Sequence, residues 1–363
     1  MKYSYKALPA LIMLPMVVQA SPIQHSLTVS ATAEHDSNPA LSSTNEVSVN
    51  RVIIIPSYTL TRVKANTELS INAKVSVERS DDEDLSIDRD DPSASLDWIH
   101  YNPRGSFNLG VSYAESSTRA SELEDTGLVT TADATREKTT AKVGWKRELD
   151  EVNTLNLNLA YDDVSYSVGS FTDYTNTDIS ARLNHKLDET RTLFGSLSAD
   201  YYEPDDNSPD AEQYNLSFGL ETQHSELLSS AFEAGANYNE NTSDTGWTAS
   251  ADVAYNEERY SATAGYARSS SASGSSGFSE SDAINLGGSY LIDDYTSIGA
   301  SLNWRDNRTV DNQSTVIKLY ADRELSEDLS LNAAWQHKET ETIASDADAD
   351  VFSITLSYNL SQL

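Results

Sequence analysis

Cysteine is absent from the 363 residues, so the chain has no disulfide, no thiolate metal site and no cysteine nucleophile. Cations are scarce: 25 Lys and Arg stand against 57 Asp and Glu, a formal net charge of −32. A chain of that sign repels phosphate, which excludes nucleic acid as a partner held by charge neutralisation. Long apolar runs are missing too. Beyond the first twenty residues nothing offers the roughly 20 consecutive apolar residues that a membrane-spanning helix needs. Histidine is thinly spread, at His25, His35, His100, His185, His224 and His337. His185 and His224 both lie near the rim of the short connections, and no Ser/His/Asp or His/Asp grouping recurs at one rim. Catalysis needs such mutual geometry, so neither an enzyme nor a cofactor is expected.

What is present begins with an export signal. Lys2 and Lys6 precede the apolar stretch Ala7 to Val18, and Val18-Gln19-Ala20 supplies branched and small residues at the −3 and −1 positions. Residues 1–20 read as a signal peptide cleaved after Ala20, and residues 21–363 as one domain delivered beyond the inner membrane. The expected destination is the outer membrane of a Gram-negative cell.

Period-2 alternation runs the length of that domain, with apolar residues at every second position. Clear stretches are Leu155, Leu157, Leu159 and Tyr161, then Tyr214, Leu216, Phe218 and Leu220, then Phe352, Ile354, Leu356, Tyr358 and Leu360. About eighteen such strands are predicted between 26–34 and 350–360, each about nine to eleven residues, the length of a tilted strand that crosses a bilayer. The second, at 46–62, contains Pro56, which predicts a bulge or a split. Short connections at 63–67, 102–105, 147–152, 186–191, 223–230, 256–259, 291–295 and 323–328 alternate with longer ones such as 79–93, 115–137, 202–212, 267–282 and 338–349. The link at 167–172 is brief. Several short connections repeat one pattern: Arg147-Glu148-Leu149-Asp150-Glu151, His185-Lys186-Leu187-Asp188-Glu189 and Arg323-Glu324-Leu325-Ser326-Glu327.

Aromatic placement adds a second signal. Tyr113, Tyr161, Tyr201, Tyr238, Tyr266, Trp304 and Trp335 close outward-running strands in phase with the apolar face, and Trp98, Trp145, Tyr255, Tyr290 and Tyr358 lie near the ends of inward-running ones. These are two headgroup-level girdles. A soluble sandwich, propeller or solenoid also alternates, but its wet face carries many Lys, Glu and Arg, whereas the opposite face here is mostly Ser, Thr, Asn and Gly. The predicted fold is all-β: a transmembrane antiparallel up-and-down β-barrel of about 18 strands, with short periplasmic turns and longer extracellular loops.

The inward phase names the lumen lining: Asn156, Asn158, Ser198, Asp200, Glu221, Glu233, Asp252, Asn285, Asn303, Lys318, Asn332 and Asn359. Inward cations read as almost absent, so carboxylates should set a cation preference. Eighteen strands about 4.8 Å apart and tilted about 40° give a backbone cylinder roughly 35 Å across. Side chains this small leave a wide aqueous passage, and 115–137 is the one loop long enough to reach far inside. Acid clusters at Asp81-Asp82-Glu83-Asp84, at Asp205-Asp206 and at Asp346 and Asp348 lack the spacing of a calcium loop and read as solvated loops. No metal is expected.

The first hairpin reads Glu34-His35-Asp36-Ser37-Asn38-Pro39-Ala40-Leu41, followed by Val52-Ile53-Ile54-Ile55-Pro56. An Asp-x-Asn-Pro-x-Leu loop before an apolar strand with Pro, together with the repeated turns, resembles the large outer-membrane barrels that accompany exopolysaccharide export and exosortase-type gene clusters. The resemblance implies a channel for polysaccharide export, with polysaccharide as cargo and a periplasmic export partner. Lipid, lipopolysaccharide and the outer-membrane assembly machinery are the partners implied by any such barrel. Lumen chemistry suits a general diffusion porin for small hydrophilic solutes equally, and a surface or adhesive barrel that transports nothing is the third reading. One departure from the usual barrel is the ending Tyr358-Asn359-Leu360-Ser361-Gln362-Leu363, which does not close on an aromatic.

Overall fold

In the computed structural model the described residues are 23–128, 130, 133–240, 244–275, 277–343 and 345–362. The signal peptide lies outside them. Eighteen strands follow in chain order: β1 Ile23–Asp36, β2 Val49–Lys64, β3 Thr67–Ser80, β4 Arg89–Asn102, β5 Gly105–Ser117, β6 Thr135–Glu148, β7 Asn153–Tyr166, β8 Tyr174–Lys186 and β9 Arg191–Pro204. The second half comprises β10 Ala211–Gln223, β11 Leu228–Asn239, β12 Asp244–Asn256, β13 Tyr260–Ser273, β14 Gly277–Asp293, β15 Thr296–Asn307, β16 Asn312–Glu324, β17 Leu329–Glu341 and β18 Asp346–Gln362. One helix, α1, spans Thr118–Asp125 between β5 and β6.

Each strand pairs antiparallel with its neighbours, and β1 closes the sheet on β18, with Thr28 opposite Asn359 and Thr32 opposite Thr355. Closure leaves no edge, which is what permits a sheet to stand in lipid, where an unpaired backbone group costs several kcal/mol. The fold predicted from alternation is therefore the observed one: a closed antiparallel barrel of 18 strands.

The register separates two faces. Leu157, Leu197, Leu216, Phe218 and Phe232 are exposed, Phe218 at 61%, and lie on the outer face, where lipid replaces water as their surroundings. The girdle residues lie on that face as well: Tyr266, Ile284 and Trp304 form one row, and Tyr260, Tyr290 and Ile298 another. Strands are longer than the alternation predicts, 12 to 17 residues, and extend past the hydrophobic band at the long-loop rim.

Pro56 neither bulges nor splits β2. The strand is continuous, Pro56 faces Val29 on β1, and the pairing with β3 resumes in the same register at Ser57 and Lys74. Proline lacks only its own N–H, so the ladder loses a bond without losing phase. Among the described residues a register shift falls instead on β14, between Leu291 and Asp293.

At the short-turn rim, the periplasmic one in barrels of this class, the repeated turns are built by one acidic side chain each. Asp150 accepts the backbone N–H groups of Val152 and Asn153 and the Asn153 amide at 2.7 to 2.9 Å. Asp188 does the same with Thr190 and Arg191, and adds Arg191 Nε at 2.7 Å. These bonds hold both carboxyls below the usual carboxylate range, the Arg191 and Asn153 side chains contributing most.

Candidate functional site

The long-loop rim is where the wide passage expected from sequence fails. Inward-facing residues at that end are buried on strand after strand: Asp36, Val49, Val164, Tyr174, Gln213, Asn307, Thr340 and Ala349. Two segments cross the mouth, and on the β1–β18 side the β1–β2 loop lies over these residues, Asn38 Nδ2 donating to the Asp348 carbonyl at 2.9 Å.

The first is the predicted 115–137 loop, which contains α1. Ser117 precedes the helix without a side-chain cap and binds Asp133 instead, Oγ to Oδ1 at 3.1 Å. At the other end Gly127 turns the chain with φ +73°, and any Cβ there would come within 2.6 Å of the Arg305 side chain. Only glycine satisfies both demands. Beyond that turn Arg305 Nη1 donates to the Asp125 carbonyl at 2.6 Å and Asn307 Nδ2 to the Thr126 carbonyl at 2.7 Å. Both donors are on β15, which lies nine strands from β6 in either direction round the barrel. The loop thus spans the lumen and docks on the opposite wall. That contact also shows that Arg305 and Asn307, and with them Asn303 on the same strand, face inward.

Glu122 is the polar centre of this crossing and is 1% exposed. Tyr166 Oη on β7 donates to its carboxylate at 2.6 Å, and Arg136 on β6 approaches it at 3.8 Å while bonding Asp125 at 2.5 Å. Burial pushes the Glu122 carboxyl above the ordinary carboxylate range, against the opposing pull of Tyr166 and Arg136. Arg119 fastens the helix start, donating to the carbonyls of Pro39 and Leu85 in the β1–β2 and β3–β4 loops.

Loop length does not reveal the second crossing. Strand β13 leaves β12 above Arg268, and the β13–β14 hairpin bends inward. Its tip reaches β7, β8 and β9: Thr172 N donates to the Gly274 carbonyl at 2.9 Å, and Phe278 packs with Tyr202, Tyr174, Val164 and Ala211 in a buried apolar cluster. Two aromatic rings buried in this way stabilise the fold-over by a few kcal/mol, at ~2 kcal/mol each. In the sequence, 267–282 reads as an ordinary serine-rich loop. Its one signal is the lone Phe278 among polar residues.

Deeper in the barrel the wall is polar. All the lumen-lining candidates sit on the same face as Asn303, through rows such as Asn158, Ser180, Ser198 and Asn215, or Glu221, Ala231, Asp252, Gly265, Asn285 and Asn303. Lys318 faces Ser301 and Gln336, Asn332 faces Asp322 and Thr355, and Asn359 faces Thr28. Glu221 is paired with Arg182, whose guanidinium lies 3.6 Å over the Phe194 ring. Glu233 accepts from Ser196 and Ser217, and Asp200 from Asn215.

The expectation that inward cations are nearly absent is wrong. Lys138, Lys142 and Lys146 share the phase of Arg136 on β6, since Val143 and Trp145 occupy the outer face. Lys74 on β3, Arg51 on β2 and Lys338 on β17 are inward as well. The carboxylate surplus assumed in reading a cation preference is therefore cancelled along much of the wall. His185 and His224 have separate neighbours, Asn153 at 2.9 Å and Ser230 at 2.8 Å. Among the described residues no group of three His, Cys, Asp or Glu is arranged to hold a metal ion.

No protein-family profile and no curated protein sequence matches the chain. Solved structures do match in shape. The chain is similar to OccK5 (OpdH) of Pseudomonas aeruginosa, with a TM-score of 0.54 and 9% identity over 94% of this chain and 98% of that one. It is similar to OccK7 (OpdD) of the same organism, at 0.53 and 10% over 95% and 100%, and to OccAB3 of Acinetobacter baumannii, at 0.51 and 9% over 94% and 99%. At such identity the likeness is one of fold, and the fold is that of an outer-membrane barrel.

Proposed function

We propose that the chain is an outer-membrane channel for small hydrophilic solutes, with an outer mouth partly closed by α1 and the β13–β14 hairpin. The observation that carries this reading is the contrast between the two ends of the inner face. At the mouth the inward residues are buried under loops held by polar bonds such as Arg305 to Asp125 and Tyr166 to Glu122. Below it, Lys142, Asp252 and Lys318 are exposed, as groups facing water are. The similar solved structures share the closed barrel, the architecture such a passage requires.

Polysaccharide export, implied by the Asp36-Ser37-Asn38-Pro39 hairpin and the repeated turns, fits the mouth less well. An extended polymer needs both crossings removed from its path, whereas a small solute needs room beside one of them.

Currents through purified protein in a planar bilayer test the channel. Steady conductance from the full chain, increased when 119–133 is shortened, is the expected result. Silence of both proteins would rule out transport and leave a surface role for the acidic loops. Because the chain lacks cysteine, orientation is tested by single replacements: Ser208→Cys should be labelled by an impermeant maleimide on intact cells, and Thr190→Cys should not.

A further inference from the structure

The inner face carries charge of both signs, and the paired and free groups are sorted by strand. On β3, β6 and β16 the ammonium groups of Lys74, Lys142, Lys146 and Lys318 have no carboxylate within 4.0 Å among the described residues. The acids of that side are tied instead: Glu34, Asp36 and Glu78 surround Arg51, and Asp91 holds Arg89. Asp97 on β4 and Asp322 on β16 are the exceptions in the middle of the wall, Asp322 accepting from Asn332 at 2.7 Å, and Glu68, Glu148 and Glu324 are further ones at the ends of β3, β6 and β16 beside the short-turn rim.

Across the lumen the pattern reverses. Asp178 on β8 faces Asp200 on β9, and Glu233 and Asp252 follow on β11 and β12. Among the described residues none of the four has a cationic partner. The cations of this side within the wall are committed, Arg182 to Glu221 and Arg305 to the end of α1, and Lys186 stands at the short-turn rim. The boundary is abrupt: in one register row Lys142, Ala160, Asp178 and Asp200 follow one another.

Away from the short-turn rim, free charge is thus left as a basic arc facing an acidic arc. Low-dielectric walls focus such a field inside a cleft, and screening over ~8 Å at physiological salt confines it to the water near each wall. A solute with one charge is drawn to one wall and repelled by the other. A solute with a carboxylate and an ammonium gains from both when it lies across the passage. We propose that the lumen favours zwitterions with one carboxylate and one ammonium group over neutral molecules of equal size. This rests on the channel reading and adds the solute class to it.

Swelling of liposomes containing the full chain tests the idea with 4-aminobutanoate and the neutral 4-hydroxybutanamide as matched probes. The zwitterion should enter about threefold faster, what one exposed ion pair supplies. The combined Lys74→Gln, Lys142→Gln, Lys146→Gln and Lys318→Gln variant should lose that preference and shift the KCl reversal potential toward cations. Asp178→Asn, Asp200→Asn, Glu233→Gln and Asp252→Asn together should lose it and shift the potential toward anions. The matching Lys→Arg set should keep it, and a heat-modifiable gel shift confirms that each variant is a folded barrel. Equal entry of both probes into wild-type vesicles, or a preference that survives both neutralised sets, overturns the inference while the channel stands. Entry of neither probe overturns the channel reading and the inference with it.

Discussion

Arg305 on β15 and Asp125 at the end of α1 meet through a 2.6 Å hydrogen bond across the full width of the barrel. The bond is charge-assisted, with a peptide carbonyl as acceptor, and such bonds are worth about 1.5–3 kcal/mol. Together with Asn307 to Thr126 it fixes the far end of a loop whose two ends spring from the opposite wall.

Arg305→Ala should release that end. A loss of about 2 kcal/mol in docking shifts the closed-to-open ratio roughly 30-fold. Single-channel records should show longer or larger openings than wild type, with the barrel's melting behaviour nearly unchanged. Identical conductance in the two proteins would mean that the crossing does not limit the current.

Acid should tighten the same crossing. A carboxyl whose docked pKa lies above its free value of 4.5 makes docking strongest below that free value and weaker as pH rises through the raised one. Conductance should therefore fall as pH is lowered toward 4.5. Tyr166, Arg136 and Asp125 are the titratable or charged groups about Glu122, and the direction allows for them. In Glu122→Gln the dependence should disappear, leaving the acid-like, tightly docked state at every pH. An unaltered pH profile in that variant would assign the effect elsewhere.

Gly274 is the point on which the hairpin folds over. A Cβ at this position would lie 2.6 Å from the Tyr166 ring and 2.9 Å from the Thr172 carbonyl. Both neighbours are fixed in the apolar cluster or in backbone, so Gly274→Val should lift the hairpin and expose Phe278. Limited proteolysis of folded protein should then cut within 269–280 faster than in wild type. Equal rates would show that the cluster holds without the close approach.

The turn acids should matter most near neutral pH. The Asp150 and Asp188 carboxyls are held below their ordinary value, so their contribution is present above that value and disappears as pH falls through the lowered one. Asp188→Ala should lower the urea midpoint in lipid vesicles at pH 7, and the gap from wild type should close in strong acid. A gap constant across pH would make the effect one of turn conformation alone.

Strand number, pairing order and the lipid-facing side were legible in the residues. Leu155, Leu157 and Leu159, or Phe352, Ile354 and Leu356, announce a strand and its outer face without reference to any other part of the chain, because the bilayer imposes alternation on each strand separately. Turns such as Leu187-Asp188-Glu189 are equally local. The phase of Lys142 and Lys146 is available in the same way from Val143 and Trp145, yet a strand with three lysines does not stand out as apolar alternation, which hides its inward charge.

The closure of the mouth could not be read in this manner. Residues 118–134 carry no feature that names β15 as their destination, and Arg305 and Asn307 look like any polar end of a strand. Their meeting depends on the barrel's circumference, which sets β15 opposite β6, and on the bare backbone of Gly127, which leaves room for the arginine to pass. Alternation is fixed by the medium around each strand, so sequence alone determined the cylinder. The contents of its mouth are fixed by distances between segments remote in the chain, and those exist only once the cylinder has closed.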